Sequence, residues 1–312
     1  VDQKRKEWNK YLLNELGIRQ DIFCSIVMPG NVLGNLSQKI CNEFEVPSIP
    51  VVNVASHDTA SAIAGIPLRI SGDDWAFISL GTWAIYGVET EEQYISREVF
   101  ESGFANQGGC EGKTNFVNLF TGLWVIQQCY ERWCKDAGKK IGWNTVVSEA
   151  EKARSGKVFI DLDAPEFAQP NPNMPLEIQK YCQKNGQEVP EGIGEISRCI
   201  FESLVLKFKQ CYCDVQRFTG KKTRVLYLVG GGSKNKLLCQ WTADALGIPV
   251  MAGPAETTSV GNLLLQLKAS KEIDSLDDGR RIAGASADSK EYLPSDSEKW
   301  DEYYNRYYNS RN

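Results

Sequence analysis

Ile196, Ile200, Leu204 and Phe208 return at every fourth position, a spacing that predicts a helix from about Gly194 to Phe218 with one buried stripe. The pattern then changes to short apolar blocks. Arg224-Val-Leu-Tyr-Leu-Val229 reads as a strand, Gly230-Gly-Gly-Ser-Lys-Asn235 as a turn, Lys236 to Leu246 as a helix and Ile248-Pro-Val-Met251 as the next strand, a βαβ-like unit followed by a helix from Thr257 to Ala269. Upstream, Ile49 to Val54 reads as a strand that gives way to the polar His57-Asp58-Thr59 and an Ala-rich helix. Trp75 to Leu80 and Ala84 to Val88 read as two strands of a hairpin around Gly81-Thr82-Trp83. Phe104 to Gly109 reads as a loop, Leu119 or Gly122 to Cys134 as a helix, and the Pro- and Asn-rich Pro165 to Pro175 as a loop. The tail after Ser270 is polar, with Tyr and Trp clustered near its end, and no repeat of 20 to 50 residues is visible.

The first 50 residues carry a charged helix, about Lys6 to Leu16, a turn at Pro29-Gly30 and a weakly periodic helix from Asn35 to Phe44, without a convincing core of their own. They read as the tail of a domain whose beginning lies elsewhere. At 34.9 kDa the chain has room for one large or two ordinary domains, and 42% hydrophobic with 24% charged residues is a globular balance. A net charge of -5, a pI near 5.3 and the lack of a dense Lys/Arg cluster interleaved with aromatics argue against a nucleic-acid partner. No apolar run approaches the roughly 18 residues of a membrane span, and the opening segment has no signal-peptide core. The expectation is a soluble cytoplasmic protein without a membrane partner. Ten cysteines scattered over 312 residues read as reduced thiols. Cys211-Tyr-Cys213 lacks the two-residue spacer of common zinc pairs and there is one histidine, so no metal-ligating residues are assigned.

Four stretches could carry chemistry. Gly230 to Asn235 would let a nucleotide lie against exposed amides, but it matches neither G-x-G-x-x-G nor a P-loop, and by itself it reads more readily as an ordinary glycine turn. Gly81-Thr82 offers backbone N–H groups and a hydroxyl suited to phosphate oxygens, or simply closes a hairpin. Asn106-Gln-Gly-Gly109 could supply amide contacts, or be a standard loop. Asp58 either caps its helix or acts as a general base for an attacking hydroxyl, with His57 orienting ligand hydroxyls. No G-x-S-x-G elbow accompanies the lone histidine.

Taken in order, His57-Asp58-Thr59-Ala60-Ser61, Ser79-Leu-Gly-Thr-Trp83, Asn106-Gln-Gly-Gly109 with Gly122-Leu-Trp124, Val229 to Asn235, and Ala252-Gly-Pro-Ala-Glu256 with Gly261-Asn262 resemble the FGGY carbohydrate kinases from about Asp21 to Gln266. The resemblance implies an α/β fold of the actin-like ATPase (ribonuclease H-like) type, a mixed sheet flanked by helices. It implies that residues 1–52 are a remnant of an N-terminal sugar-binding domain and 53–312 a C-terminal nucleotide-binding domain, with a missing N-terminal domain completing the cleft. The implied reaction is ATP-dependent phosphorylation of the 1-hydroxyl of a ketose, first L-rhamnulose, with ATP and Mg2+ as cofactors. By the same resemblance Asp58 is the catalytic base, and His57, Asp58 and Thr59 contact the sugar. Gly81, Thr82, Asn106, Gly230, Gly231, Gly232, Ser233 and Asn235 contact ATP. Leu80 stands where a second small residue is common, and Gln107 where the resembling kinases usually have Glu. L-fuculose or another ketose or polyol is the alternative acceptor. A non-catalytic actin-like nucleotide sensor is the alternative class, disfavoured because nucleotide binding alone requires no base, and a dinucleotide-dependent oxidoreductase is remote.

Overall fold

The computed structural model describes residues 1–2, 4–69 and 72–309. Its first part holds α1 (Lys10–Glu15), β1 (Asn31–Asn35), α2 (Gln38–Phe44), β2 (Pro50–Asn53) and α3 (Asp58–Ala64). β3 (Trp75–Leu80), β4 (Trp83–Thr90), α4 (Arg97–Glu101), β5 (Phe104–Gly108) and β6 (Thr114–Thr121) follow. Helices then dominate: α5 (Trp124–Ala137), α6 (Trp143–Lys152), α7 (Met174–Lys184) and α8 (Gly192–Thr219). The chain closes with β7 (Val225–Val229), α9 (Lys236–Leu246), β8 (Val250–Ala252), α10 (Thr257–Ala269), α11 (Leu276–Ser286), β9 (Lys290–Tyr292) and α12 (Glu298–Asn309).

Seven strands form one mixed sheet in the order β5-β6-β4-β3-β7-β8-β9, and β1 pairs antiparallel with β2 in a separate hairpin. Within the larger sheet β3 runs parallel to β7 and β7 to β8, while β3–β4 and β8–β9 are antiparallel. The parallel steps follow from the helical crossovers expected between such strands.

Two compact units emerge, each assembled from three stretches of chain: 1–73, 89–117 and 256–287 in one, and 74–88, 118–255 and 288–312 in the other. In the first, the β1–β2 register pairs Val32 with Val52, so position 52 lies inside a strand pairing. Its core gathers Ala64, Cys110, Leu264, Leu265 and Leu276 around α3 and α10. In the second, β3 and β7 are almost wholly buried. The expected stripe of α8 is also buried, with Ile196, Ile200, Leu204 and Phe208 at 2% exposure or less, each contributing about 1.5–3 kcal/mol of transfer free energy.

Several expectations needed tertiary correction. Residues 104–108 form strand β5, not a loop, because they pair at the sheet edge with β6, where the Phe104 ring stacks on Phe116 at 4.8 Å. The helix expected from Leu119 or Gly122 starts at Trp124. β6 is buried on both faces, so it lacks the alternation that marks a half-exposed strand. The loop expected up to Pro175 ends earlier: Asn173 caps α7 by accepting from the Leu176 N–H, and Pro175 sits in the first turn, where its missing N–H costs nothing. The polar tail is ordered too, since Trp300, Tyr303 and Tyr307 form the buried face of α12.

Candidate active site

The first unit displays the acid. β2 ends at Asn53, Ser56 adopts a positive φ of 61°, and His57 caps α3. The Thr59 N–H is shared between His57 Nδ1 at 3.2 Å and Asp58 Oδ1 at 2.7 Å. Because Nδ1 accepts, the neutral ring carries its proton on Nε2 and can donate from there. The Asp58 side chain is 81% exposed, so its carboxylate is available to a ligand. Capping and availability are therefore both present: His57 takes the capping role that was one reading of Asp58, while Asp58 itself occupies the first helical position.

What holds α3 in place is a glycine crossing with α10. A Cβ on Gly65 would lie 2.1 Å from Thr257 O, and one on Gly261 would lie 1.9 Å from Ser61 O, so the two backbones touch where neither helix has a side chain. Thr258 Oγ1 donates to Asp58 O at 3.3 Å. At the other end of α3, the buried Arg280 guanidinium donates to Ile63 O at 3.0 Å and Ala64 O at 3.2 Å, and pairs with both Glu89 oxygens at 2.8 Å. Burial, the largest influence on Arg280, opposes its charge, but Glu89 and then Asp277 outweigh it and carry the guanidinium above its ordinary pKa.

Asn106 lies in this unit as well. Its Oδ1 accepts from Tyr94 N at 3.0 Å and its Nδ2 donates to Tyr94 O at 2.8 Å. Both ends of the amide bond backbone, which anchors the side chain to the Tyr94 segment. Asn106 is not among the residues that line the cavities of the second unit.

The second unit collects most of the expected nucleotide residues. Gly81-Thr82 joins β3 to β4 and is fixed to the start of α5: Gly122 N and Trp124 N donate to Thr82 O at 3.0 and 3.2 Å, and Leu123 N donates to Gly81 O at 2.8 Å. A Cβ at Gly122 would sit 2.6 Å from Gly81 O, which explains the glycine. Thr82 Oγ1 donates to Gln127 Oε1 at 3.2 Å. Gln127 in turn lines a cavity of about 390 Å³ with Gly231, Gly232, Lys234 and Asn235 on one side and Ile126, Trp143 and Phe201 among the others. That size and mix of apolar walls with a few polar groups suit a small-molecule site.

The glycine turn after β7 is shaped for close approach. Gly230 has φ 82° and lies under Leu80 O, and a Cβ on Gly232 would meet the Leu80 side chain at 2.4 Å, whereas Gly231 faces open space. The unusual Leu80 is thus fully buried against Gly232. Ser233 spends its hydroxyl hydrogen on Gly230 O at 2.7 Å, and Asn235 Oδ1 caps α9 by accepting from Leu238 N at 3.2 Å. Gly231, Gly232 and Asn235 therefore line the cavity, while Gly230 and Ser233 shape the turn behind it. Gly232→Ala is expected to cost about 1–3 kcal/mol by overpacking, with much of it recovered in a Leu80→Ala background. Urea unfolding of the double-mutant cycle measures that coupling.

Residues 76–270 match the model of the FGGY family of carbohydrate kinases, C-terminal domain. The chain belongs to the FGGY family of carbohydrate kinases. The chain is 37% identical over 289 residues to a rhamnulokinase of Enterococcus faecalis, covering 92% of this chain and 57% of that protein. It is 35% identical over 293 residues to a rhamnulokinase of Bacteroides thetaiotaomicron, covering 94% and 59%. It thus spans less than three-fifths of these relatives. A crystal structure of Plasmodium falciparum glycerol kinase with ADP superposes with a TM-score of 0.74 at 15% identity, covering 100% of this chain and 60% of that one, which establishes the shared fold. The expected actin-like ATPase fold of FGGY kinases, with its mixed sheet and flanking helices, is the one found.

Sequence reasoning passed over Gln127, Trp143 and Phe201. Gln127 had a signal, since it follows Gly122-Leu-Trp124 by one helical turn. Trp143 had none: it stacks on Tyr130 with ring centroids 4.2 Å apart and planes at 12°, an arrangement made by the return of α6 against α5. Among the described residues no group of three or more His, Cys, Asp or Glu side chains converges as a metal cage.

Proposed function

We propose that this FGGY chain carries the nucleotide-binding and acid-bearing part of an ATP-dependent sugar kinase that phosphorylates the 1-hydroxyl of a ketose, L-rhamnulose first among candidates. The observation that carries the reading is the junction of the Thr82 turn, through Gln127, with the Gly231–Asn235 cavity, in a chain 37% identical to a rhamnulokinase. In this reading Asp58 accepts the hydroxyl proton as the oxygen attacks, and His57 and Thr59 help orient the sugar. Gly81 and Thr82 face phosphate oxygens, Gly231, Gly232 and Asn235 border the adenosine, and Gly230 and Ser233 support those contacts from behind, while Asn106 is taken as a nucleotide contact on the family resemblance alone. Mg2+ would accompany the nucleotide and offset phosphate charge during transfer. The setting is cytoplasmic in this reading, and no helix among the described residues is long and apolar enough to cross a membrane.

Trp143, half-exposed and already stacked on one face, supplies a platform for the adenine. Trp143→Ala should weaken ATP binding about tenfold, within the range of base–aromatic stacking, and leave the urea midpoint nearly unchanged. Titration calorimetry with ATP and with GTP checks it. The overall reading is tested by ATP-dependent ADP release with L-rhamnulose, L-fuculose, L-ribulose, L-xylulose and glycerol, on this chain and on the product of its complete coding region. The chain alone should turn over poorly, because transfer requires both substrates held in line. Preference for L-rhamnulose supports the assignment, whereas tight ATP binding without turnover on any acceptor would favour the sensor reading.

A further inference from the structure

A second cavity, of about 380 Å³, lies in the same compact unit and shares no lining residue with the nucleotide cavity. The start of α5 presents Leu123 to one and Trp124 to the other. Trp83, 61% exposed, stands at its side, and its polar groups come from Thr82, Thr121 and Asp163. Trp124 is fixed by donating its indole N–H to Phe167 O at 3.0 Å. Asp163 is held too: its Oδ1 accepts from Thr121 N at 2.9 Å and its Oδ2 faces Lys207 Nζ at 3.1 Å.

The chemistry of these walls selects a class of ligand. The sole charged side chain in the lining is the Asp163 carboxylate, and Lys207 Nζ at 3.1 Å balances it, so the walls carry little net charge to hold either a cation or an anion. Two indoles offer flat apolar faces, and two hydroxyls and a rigid carboxylate offer hydrogen bonds, a combination that suits a neutral ring with both C–H faces and hydroxyl edges. We propose that this cavity is a binding site for an uncharged sugar or polyol, separate from the nucleotide cavity. The site is complete within one unit and needs no phosphoryl transfer to be occupied, so the proposal goes beyond the kinase reading.

The test is titration calorimetry of the 312-residue chain with L-rhamnose, L-rhamnulose and glycerol, without nucleotide, for the unaltered protein, Trp83→Ala, Ala168→Phe and Asp58→Asn. Ala168 lines the cavity from an exposed position, so a phenyl ring there fills the space without entering the core. Saturable sugar binding that weakens about tenfold or more in both cavity variants is the expected result. Binding that survives both cavity variants, or is lost only in Asp58→Asn, overturns the proposal, as does the lack of saturable binding by all three compounds. ADP titrations of the same proteins keep the two readings apart. Failure of the unaltered chain to bind ADP would count against the kinase reading and leave the sugar result standing.

Discussion

Asp58→Asn is expected to lower kcat/KM for the ketose by about 10²- to 10⁴-fold while leaving ATP affinity unchanged. The substitution preserves size and an oxygen that can accept from Thr59 N, now at 2.7 Å from Asp58 Oδ1, so the geometry of the α3 start survives. It removes the capacity to take a proton. As a stability element Asp58 contributes through a negative charge in the first turn of a seven-residue helix, an effect of about 0.3–1 kcal/mol at an exposed site. His57 supplies the cap independently. The two roles therefore predict different signatures: a base shows in turnover with little change in the urea midpoint, a helix-start residue in the midpoint alone. Steady-state kinetics on the product of the complete coding region, paired with ATP titration, separates them. Turnover within threefold of the parent would return Asp58 to a purely structural role.

Arg280→Met should destabilise the unit formed by residues 1–73, 89–117 and 256–287 by about 3–5 kcal/mol, the cost of removing one member of a buried ion pair. Arg280 is 1% exposed and Glu89 6%, so losing their two 2.8 Å hydrogen bonds leaves a buried carboxylate faced only by the more distant Lys113 Nζ at 3.8 Å. The same guanidinium satisfies the carbonyls of Ile63 and Ala64 at the C-terminal end of α3, so its loss also frees two buried acceptors. The pair as a whole need not be stabilising relative to an apolar pair of similar volume. Glu89→Leu combined with Arg280→Met should accordingly recover a substantial part of the loss in urea unfolding. If the double variant is as unstable as the sum of the singles, the carbonyl bonds rather than the ion pair dominate. Because α3 begins with Asp58, this buried arginine supports the acid from the opposite end of its helix.

The sequence carried the local grammar of this protein. The four-residue stripe of α8, the apolar runs of β3 and β7 and the glycine turn after β7 are set by side-chain spacing along one segment, and each formed where that spacing placed it. The family was legible for a related reason, since its motifs are short stretches whose residue types are fixed by close backbone contacts such as those at Gly122, Gly230 and Gly261. Tertiary structure alone decided the rest. β6, buried on both faces, has no alternation to read. α12 is polar by composition and ordered because three aromatic rings find a core. Asn106 looks available until Tyr94 takes both ends of its amide. Trp143 and Phe201, more than fifty residues apart in sequence, reach one cavity from two different helices. Contacts between distant segments depend on how helices and strands pack, and no periodicity within either segment encodes which partner will arrive.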